Sequence, residues 1–577
     1  MILKNQDNKE KLSKIVFKPY DMNQLKLPIE LEIQIPDNHL VKVINSIIDR
    51  MDISNLLNRY KGGGTSAYHP LMMLKVIIYA YTQKIYTTRK IAKALRENIY
   101  FMWISAKSTP DFRTINNFRS SIMKGLIDDV FSKVMELLVK EGFVNIDNYF
   151  IDGTKIEANA NKYTFVWRKS MQKQKDKLQN KIHNLISQIE KENEKENKRY
   201  KDKDLEEYGA DSNITSEKLD DLVKRIDEEL RTKIEKEVKK NTADKEEKKK
   251  QKDKSKEKTT DRTKNKSKEK DEKEKEISKK EKKQIQKQKK ILKMLKDDCL
   301  QRLRKYEEQE KILNGRNSYS KTDNDAVFMR MKEDHMLNGQ LKPGYNVQIG
   351  TNNQFILNYS IHQKANDANV LKENLEKFNN IYGKMPKKAI ADSGYGSEEN
   401  YEYLKEKGIK NYVKYNYFHI EQKRNFKKKI YRQENMSYDK EKDEYICPED
   451  KRLKYTKTIK RKTDAGYIQT LKLYECTECA ECPKKAECTK SQYNRKIQIN
   501  ERLNELKAEA KENLMSSEGI KLRGQRCIEP ESSFGQIKWN REFKRFLLRG
   551  MEKVNIEWGL IALAHNFCKL NAVFGAV

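Results

Sequence analysis

A run of residues near the middle of the chain, from 241 to 290, limits what the rest of the chain can fold into. The run contains 22 Lys or Arg and 12 Asp or Glu, no aromatic residue, and only Ile277 and Ile285 as large apolar side chains. So little apolar surface cannot offset the entropy that is lost when a chain becomes ordered. We therefore interpret the run as a disordered linker or a solvated helical arm, with direct DNA binding as the alternative.

Apolar residues at heptad spacing stand before this run, in two separate segments. Such spacing is typical of a coiled-coil seam. Residues 168–315 are therefore predicted to be a charged coiled-coil or partly disordered insertion, which could pair with itself as a hairpin or with a second copy of the chain. The seam residues are Leu178, Ile182, Leu185 and Ile189, then Leu219, Val223, Ile226 and Leu230.

The length and charge of the chain narrow its class further. A chain of 577 residues is too long for one ordinary domain, so we expect two to four domains. Its net charge is +34, of which the central run supplies only ten charges, so the remainder is strongly basic by itself. Such a positive charge suits a polyanionic partner, commonly nucleic acid. The alternative is that all proteins of the source are rich in Lys, which would raise the net charge without any such partner. The sequence shows neither a membrane-spanning apolar run nor a signal peptide, so cytoplasmic residence is expected.

Residues 38–145 are predicted to form a compact helical domain that follows an N-terminal tail, residues 1–37. The segment TPD at 109–111 is a typical helix start, because Pro is tolerated in the first turn. The helix that follows, DFRTINNFRSSI, carries Arg113 and Arg119 among Asn side chains. Two short helices with such a polar second member suit a helix-turn-helix that contacts DNA through these Arg residues. The alternative is an ordinary helical bundle with a solvated face.

The hydrophobic period changes from helical to alternating after the insertion. Short segments rich in β-branched and aromatic residues predict strands, with two helices between them. Together with an apolar strand before the insertion they imply a mixed α/β sheet, formed by residues 146–167 and 316–435 and completed by residues 501–577. The strand segments are NYFIDGTKIEA, GYNVQIG, FILNYSIHQ, KKAIADSGY and NYVKYN.

Acidic residues stand where two of these predicted strands meet Gly-bearing segments. Asp152 lies between the apolar run YFI and GT, and Asp392 lies between AIA and SGYG. A buried carboxylate is costly unless it is paired or bound to a metal ion, so two of them in one α/β unit suggest shared Mg²⁺ or Mn²⁺. Two such ions can promote phosphoryl transfer. Taken alone, an Asp at a strand end would more simply begin a turn.

A third acid, Glu531, lies in the segment RCIEPESSFGQIKWNREFKRFLLRG. Lys538 follows it by seven residues, which is two turns along one face of a helix. This arrangement can direct the carboxylate towards a metal ion and the ammonium towards a DNA phosphate. The alternative is a surface Glu on an amphipathic helix. Helical spacing of Phe543, Phe546 and Leu547 predicts that this side of the segment packs inward.

Two weaker candidates stand at the end of the predicted strand FILNYSIHQ and shortly after it. His362 could face the metal site, although a structural His is the simpler interpretation. Asp367 is predicted to cap the helix that follows it.

Several segments together resemble the DDE transposases of bacterial insertion sequences. The resemblance implies an α/β RNase H-like catalytic core interrupted by insertions, with an N-terminal all-helical DNA-binding domain. The segments are HPLMMLKVIIYAY, TPDFRTINNFR, FIDGTKIEANANKYTFVW, TDNDAVFM, GYNVQIG, ADSGYGS, IEPESSFGQIK and FLLRGMEKVNIEWGLIALAHNFCKL.

The same resemblance implies which acids are catalytic. Asp152, Asp392 and Glu531 would be the metal-binding acids, with Mg²⁺ (or Mn²⁺) as the cofactor. The family's Tyr–Arg–Glu–Lys pattern is only partly kept, and Glu529 therefore stays open as the third acid. Glu531 and Lys538 fit the last interval of that pattern.

The rest of the pattern bears on phosphate contacts. Arg523 stands where the Tyr is expected, and Arg526 lies five residues before Glu531 rather than four. The resemblance implies that Lys538 and Arg526 hold DNA phosphate.

The activity implied by the resemblance is metal-dependent cleavage at the ends of an insertion sequence, followed by strand transfer into target DNA. Double-stranded DNA would be the partner, as terminal inverted repeats and as target, with a homodimer or larger assembly on the DNA. The bacterial cytoplasm, in association with the nucleoid, would be the location. Two alternatives stay open: a metal-dependent nuclease without strand transfer, and a catalytically dead DNA-binding protein derived from a transposase.

Five of the eight cysteines lie close together, within a predicted insertion at residues 436–500. In a cytoplasmic chain a C-x-x-C pair with further cysteines nearby is more typical of a metal site than of disulfides. Four thiolates favour a closed, structural Zn²⁺ site, whereas the alternative is a loop of free, reduced cysteines. The predicted ligands are Cys476, Cys479, Cys482 and Cys488, with Cys447 as the alternative fourth ligand.

Overall fold

The computed structural model divides the chain into two compact units. One unit comprises Met1–Tyr163 together with Thr322–Val577, and the other comprises Thr164–Lys321. Most of the central charged run, which was predicted to be a linker or a helical arm, lies outside the described residues. The described residues are 18, 35–60, 66–197, 213–232, 234–235, 283–332, 339–463 and 466–574.

The N-terminal part of the first unit is helical. His69 caps one helix by accepting the backbone N–H of Leu71 at 3.3 Å, and Asp111 caps another by accepting that of Thr114 at 2.7 Å. The Pro70–Thr82 helix is buried at nearly every position, since it shares a core with the helix Met551–Phe574 at the end of the chain. The helices are Leu40–Asp49, Ser54–Leu57, Pro70–Thr82, Thr88–Glu97, Ile99–Ile104, Phe112–Asn117 and Ile127–Lys140, with a π-helical turn at Phe118–Ile122.

The predicted helix-turn-helix pair does not have the expected short connection. The helices Thr88–Glu97 and Phe112–Asn117 are both present, but the helix Ile99–Ile104 lies between them along the chain. A helix-turn-helix joins its two helices by a turn of only a few residues. The connection between these two helices therefore differs from that of a helix-turn-helix, while the DNA-binding role of this helical part stays a prediction.

A mixed six-stranded sheet forms the centre of the first unit, as predicted. The order along the sheet is β4-β5-β1-β7-β8, and β6 pairs with β5 on the same side as β4. β5 is antiparallel to β1, β4 and β6, whereas β7 is parallel to β1 and β8 is parallel to β7. The strands are β1 Asn148–Glu157, β4 Val327–Arg330, β5 Leu341–Asn352, β6 Phe355–His362, β7 Lys388–Ala391 and β8 Lys410–Val413.

Helices flank the parallel strands β7 and β8. The side chain of Ser397 caps one of them by accepting the N–H of Asn400 at 3.3 Å, and Ser516 caps another by accepting that of Gly519 at 3.0 Å. Gly383 ends a third in the left-handed conformation, at φ 66°, which costs glycine little. The helices are Leu371–Tyr382, Glu398–Glu406, Arg424–Lys427, Glu501–Met515 and Ser517–Ile528.

Along the chain, a second, smaller sheet follows β8 and precedes the helices that begin at Glu501. Its five strands are antiparallel in the order β13-β12-β11-β10-β9. Its buried cluster has only seven residues, two of which are cysteines. The strands are β9 Ser437–Asp439, β10 Glu444–Ile446, β11 Arg452–Lys462, β12 Ile468–Cys476 and β13 Lys496–Ile499, with a short helix at Lys485–Cys488.

The segment that follows Glu531 corrects one expectation. A helix at Pro530–Gly535 passes into a π-helical turn at Gln536–Asn540, and the chain then leaves the helical conformation until Met551. Phe546 is buried as predicted, but its N–H donates to the carbonyl of Glu157 on β1 at 2.9 Å. The inward packing therefore comes from a strand-like contact with β1 and not from a continuing helix.

A buried carboxylate holds this non-helical segment in place. Glu557, on the C-terminal helix, accepts the backbone N–H groups of Leu547 at 2.9 Å and of Leu548 at 3.0 Å. Burial raises the pKa of Glu557 to about 7. Leu547 itself is exposed, contrary to its predicted inward position.

The second unit is mostly helical and has its own buried cluster. The helix Arg168–Asn197, the helical residues 216–232 and 283–294, a π-helical turn at Leu295–Cys299 and the helix Leu300–Leu313 contribute to it, next to the short pair β2 Phe165–Trp167 and β3 Ser318–Ser320. The predicted seam positions are buried within this one chain. The cluster includes Leu178, Ile182, Leu185, Ile189, Leu219, Val223 and Ile226.

No helix in the described part of the chain is long and apolar enough to cross a membrane.

Candidate active site

Asp152 occupies the fifth position of β1, well inside the strand. It is 7% exposed, and its Oδ1 accepts the backbone N–H of Gly153 at 2.8 Å. The expectation that the strand runs into a turn at this Gly was wrong, because β1 continues to Glu157. The Gly is required by packing, since a Cβ there would lie 2.1 Å from Nε2 of Gln348 on β5.

The register of the parallel strands β1 and β7 brings Asp392 to the same place. Their last pair is Phe150 with Ile390, so Asp152 and Asp392 each lie two residues beyond it. The two strands stop pairing there, and both carboxylates stand at the end of the β1–β7 pair. Such a point, at the carboxyl ends of parallel strands, is where α/β sheets commonly bind ligands.

The two carboxylates interact electrostatically. Burial raises the pKa of Asp152, and the negative charge of Asp392 adds to the rise. Lys332, whose Nζ lies 4.0 Å from Oδ1 of Asp152, and Arg526 act in the opposite direction. Because the pKa remains raised, these cations offset only part of the cost of burying the charge.

Asp392 also begins a 3₁₀ turn, Ser393–Tyr395, in which its Oδ1 accepts the N–H of Gly394 at 2.8 Å. The Tyr395 hydroxyl at the end of this turn is buried and donates to Oε1 of Gln348. Burial, followed by the charges of Asp367, Asp152 and Asp392, raises the pKa of this hydroxyl well above its ordinary value. The buried tyrosine hydroxyl is therefore held neutral by burial and by the charges of three carboxylates.

Asp367 lies near the pair, although the sequence predicted it only as a helix cap. Its Oδ1 accepts Nε2 of Gln348 at 2.9 Å and Nδ2 of Asn346 at 2.8 Å. The predicted capping role was wrong, because the helix Leu371–Tyr382 begins after Val370 without a side-chain cap, and the side chain of Asn366 caps only the 3₁₀ turn Asp367–Asn369.

His362 has a structural environment and does not face the acids. It is buried, its Nε2 lies 2.7 Å from the Ser360 hydroxyl, and its Nδ1 lies 3.3 Å from Glu373. These contacts favour the simpler of the two interpretations of this residue.

Glu531 and Glu529 point to different partners. Oε1 of Glu531 accepts Nη2 of Arg526 at 3.0 Å, and Arg526 is close enough to lower the pKa of Asp152. Glu529 is 9% exposed and accepts the backbone N–H of Gln354, in the turn between β5 and β6, at 2.8 Å. Of the two Glu residues, Glu531 is therefore the one linked to the Asp pair.

The three acids are not gathered into one ion-binding cluster in this structure. Within the described ranges, no three His, Cys, Asp or Glu side chains are placed to hold one metal ion. Asp152 and Asp392 are neighbours, while the Glu531 carboxylate is held by the Arg526 guanidinium.

Two lysines beside the acids were missed by sequence reasoning. Nζ of Lys332 donates to the carbonyl of Gly153 at 2.6 Å, and nothing in the surrounding sequence marks it. Lys414 directly follows β8, and its N–H donates to the carbonyl of Ala391 at 3.2 Å. Burial, with Arg526 next, lowers the pKa of Lys414. Its place at the end of the strand beside β7 is a signal that the sequence does contain.

Comparison with protein families matches two segments of the first unit. Residues 446–571 match the model described as a transposase DDE domain, and residues 29–121 match the model described as a transposase domain (DUF772). The two matches support a DDE transposase of an insertion sequence. No curated protein and no solved structure matched the chain. The DDE match contains Glu531, whereas Asp152 and Asp392 lie outside both matched segments.

The four predicted DNA contacts of the transposase have unequal access to solvent. Arg113 is exposed, at a polar groove with a volume of about 590 Å³. Lys538 is 6% exposed, and its Nζ donates to the carbonyl of Lys155 at 3.4 Å. The Arg526 side chain is 11% exposed and paired with Glu531. Of the predicted DNA contacts, only Arg113 is therefore exposed enough to contact a phosphate without a rearrangement.

Arg119 is a correction to the predicted DNA contacts. It is 4% exposed, and its Nη1 donates to the carbonyl of Tyr86 at 2.8 Å and to the hydroxyl of Tyr81 at 3.2 Å. The π-helical turn Phe118–Ile122 contains this residue at the end of the short helix. The guanidinium ties helices of the bundle together and does not face solvent.

The predicted cysteine cluster lines one small pocket of the transposase. All eight cysteines of the chain are free, and burial raises the pKa of Cys476 to about 11. Cys476 and Cys479 are 2% and 8% exposed, and Sγ of Cys479 accepts the backbone N–H of Arg495 at 3.4 Å. The cysteines around the pocket are Cys447, Cys476, Cys479, Cys482 and Cys488.

Proposed function

We propose that this transposase cleaves DNA at the ends of its insertion sequence and transfers the freed 3′-hydroxyl into target DNA. The observation that carries the proposal is the meeting of Asp152 and Asp392 at the end of the β1–β7 pair. A buried carboxylate next to a half-buried one, in a chain with these family matches, suits metal-dependent phosphoryl transfer. The whole activity would rest on the first unit of the chain.

The sheet topology supports an RNase H-like core. Three antiparallel strands, β1, β5 and β6, are neighbours in the sheet, and β7 and β8 lie on the other side of β1 and run parallel to it. The first Asp stands on the central strand and the second directly after its parallel neighbour. We assign residues 146–167, 316–435 and 501–577 to this core, interrupted by the insertions 168–315 and 436–500.

The acids fit divalent cations of the Mg²⁺ class. Burial, and then the charge of Asp392, raise the pKa of Asp152. Keeping this carboxylate ionised therefore costs free energy, and a cation beside the pair would reduce that cost. Oxygen ligands are those that Mg²⁺ and Mn²⁺ prefer. Asp152, Asp392 and Glu531 would hold the ions in a two-metal arrangement, and the bound ions supply charge stabilisation for the attacking and leaving oxygens.

The Arg526–Glu531 pair has a specific part in this proposal. The Glu531 carboxylate has to leave Arg526 in order to join the Asp pair. The released guanidinium, already close to Asp152, is then free to donate to a DNA phosphate. Glu531 and Arg526 thus exchange partners when the site is assembled.

Paired variants of the two Glu residues test the third acid. We expect Glu531→Gln to slow DNA cleavage at least about a hundredfold, since the lost charge stabilises the reaction directly. Glu529→Gln should leave the rate within a few-fold, because Glu529 holds the β5–β6 turn. Rates are measured on a supercoiled plasmid that carries the element ends, with protein folding checked by circular dichroism. The reverse ranking would make Glu529 the third acid.

The helical bundle is proposed to bind the terminal repeats. Its polar groove is positively charged, and its exposed Arg113 is available to a phosphate. Double-stranded DNA would be bound both as inverted repeat and as target, by a homodimer or larger assembly associated with the nucleoid in the bacterial cytoplasm. Residues that line the groove include Arg89, Arg113, Asn116, Asn117, Leu548 and Lys553.

The cysteine pocket is proposed to hold a structural Zn²⁺. Five thiols line one pocket, and because no three of the described side chains are placed to hold one ion, the ligands would draw together on binding. The sheet beside the pocket has a buried cluster of only seven residues. So small a core needs an additional constraint, for which a metal ion is a common solution. Cys476, Cys479, Cys482 and Cys488 are the proposed ligands, with Cys447 as the alternative fourth.

A pre-nicked substrate tests the function as a whole. The chain is incubated with Mg²⁺, a labelled duplex that ends in a free 3′-hydroxyl at the element terminus, and a circular target. We expect a joined product, in which the 3′-oxygen replaces one phosphodiester bond of the target. Cleavage of intact ends without joining would identify a nuclease. DNA binding with neither reaction would identify a catalytically dead derivative.

A further inference from the structure

The two long strands of the small sheet form an exposed and strongly basic ribbon. β11 pairs with β12 in antiparallel register along its length. Residues 454–462 of β11 contain five cations and no acidic residue, and all five cations are exposed. None of the five forms an ion pair with a residue that the structure describes. The five cations are Lys454, Lys457, Lys460, Arg461 and Lys462.

The charge is distributed over both faces of the ribbon. Because side chains alternate along a strand, Lys457 and Arg461 lie on one face, and Lys460 and Lys462 lie on the other. A strand that packs on a core would instead alternate between apolar and charged side chains. The outer part of the ribbon therefore presents positive charge to solvent on both faces.

A buried carboxylate fixes the ribbon beside the Asp392 strand. Glu398 is 5% exposed and accepts Nε2 of Gln469 on β12 at 2.9 Å and the hydroxyl of Tyr467 at 3.3 Å. It also accepts Nδ2 of Asn500 at 2.6 Å. Glu398 begins the helix that follows Asp392 after a short turn. The position of the ribbon is thereby tied to the chain segment that carries the second acid.

We propose that this ribbon is a DNA-binding arm that enters a groove of the duplex on which the Asp pair acts. The major groove of B-DNA is about 12 Å wide and admits a two-stranded β-ribbon. Cations on both faces would then contact the phosphates of both groove walls, with release of counterions. The proposal rests on the proposed function in one respect, namely that DNA is the substrate.

The test measures how DNA affinity depends on salt for the full chain. The variant K457A/K460A/K462A is compared with K169A/K173A/K177A, which removes the same charge from an exposed face of the helix Arg168–Asn197. A fluorescent duplex is titrated between about 50 and 200 mM salt without chelator and without added Mg²⁺ or Mn²⁺, so that cleavage does not interfere and the proposed zinc is kept. We expect the ribbon variant to lose about tenfold or more in affinity and about three units of salt slope.

Further variants and controls distinguish the possible outcomes of this test. The variant K457R/K460R/K462R should restore both affinity and slope, which separates lost charge from a folding defect. Equal losses of DNA affinity in the ribbon and helix variants would contradict the proposed DNA-binding role of the ribbon. Binding of poly-glutamate as tight as binding of the duplex would also contradict it. If the ribbon variant loses slope while the wild-type chain neither cleaves nor joins DNA, the arm stands and the proposed transposition fails. If the ribbon variant keeps its slope while the wild type joins DNA, the reverse holds.

Discussion

Replacing Asp152 with Asn is expected to reduce DNA cleavage and strand transfer by about a thousandfold or more. The side chain keeps its size and its place in β1, but the charge that the divalent ions require is lost. DNA affinity without added Mg²⁺ or Mn²⁺ should stay within about twofold, because phosphate contacts supply most of it. Cleavage is measured with a plasmid that carries the element ends, and affinity with a fluorescent duplex.

The same variant should be more stable than the wild type when no metal ion is present. Burial and Asp392 raise the pKa of Asp152 in the folded chain, so the ionised carboxylate destabilises the fold at neutral pH. For an acid with a raised pKa, this penalty is absent at low pH and appears as the pH rises through the ordinary and then the folded value. The stabilisation by Asn should therefore grow from weakly acidic to neutral pH.

Thermal unfolding with and without added Mg²⁺, in buffers without chelator, measures this effect. Asp147→Asn is the matched control, because Asp147 lies just before β1 and its carboxylate is paired at 3.0 Å with the exposed Lys387. Mg²⁺ should raise the melting temperature of the wild type and of the control but not that of Asp152→Asn. A variant that still cleaves at the wild-type rate would remove Asp152 from the site.

Loss of the thiolate site is expected to have the largest effect on structure. We expect one Zn²⁺ per chain, and we expect Cys476→Ser to lose it and to unfold the small sheet. Binding of structural Zn²⁺ contributes about 10 kcal/mol or more to folding in small zinc domains, far more than seven buried residues can replace. The measurements are zinc content by atomic emission and the protease sensitivity of residues 437–499.

Variants of the remaining cysteines define the ligand set. Cys527→Ser is the control, because Cys527 is exposed and lies outside the pocket. Cys447→Ser, Cys482→Ser and Cys488→Ser should separate into two variants that lose zinc and one that keeps it. Full zinc content in Cys476→Ser would contradict the site, and free thiols in the purified wild type would support the alternative of a reduced loop.

The sequence was informative about the sheet because its strands have a strong local pattern. All five predicted strand segments form strands, and the two Asp residues that follow apolar runs meet at one end of the sheet. The reason given for Asp152 was nevertheless wrong. The Gly after it suggested a turn, whereas its role is to make room for Gln348, a partner nearly two hundred residues away along the chain.

Tertiary contacts explain the other failures. Arg119 has the sequence of an exposed DNA contact, but a π-helical turn and two tyrosines of the bundle bury it. Lys538 has the right spacing from Glu531, but a π-helical turn separates them and directs its ammonium to a carbonyl of β1. Neither π-helical turn is visible in a pattern that assumes 3.6 residues per turn. Lys332 was missed because only the fold brings it to Asp152.

The chain leaves and re-enters the first unit at neighbouring residues. In that unit the N–H of Asn161 donates to the Thr322 hydroxyl at 2.8 Å, and in the second unit Phe165 pairs with Ser320. In each unit, the residues on either side of the two chain crossings are thus held together by a hydrogen bond or a strand pair of that unit. The pairing of β1 with β5 therefore does not depend on the length of the segment Thr164–Lys321. We expect that a short turn or a fluorescent reporter can replace this segment while β1 and β5 still pair.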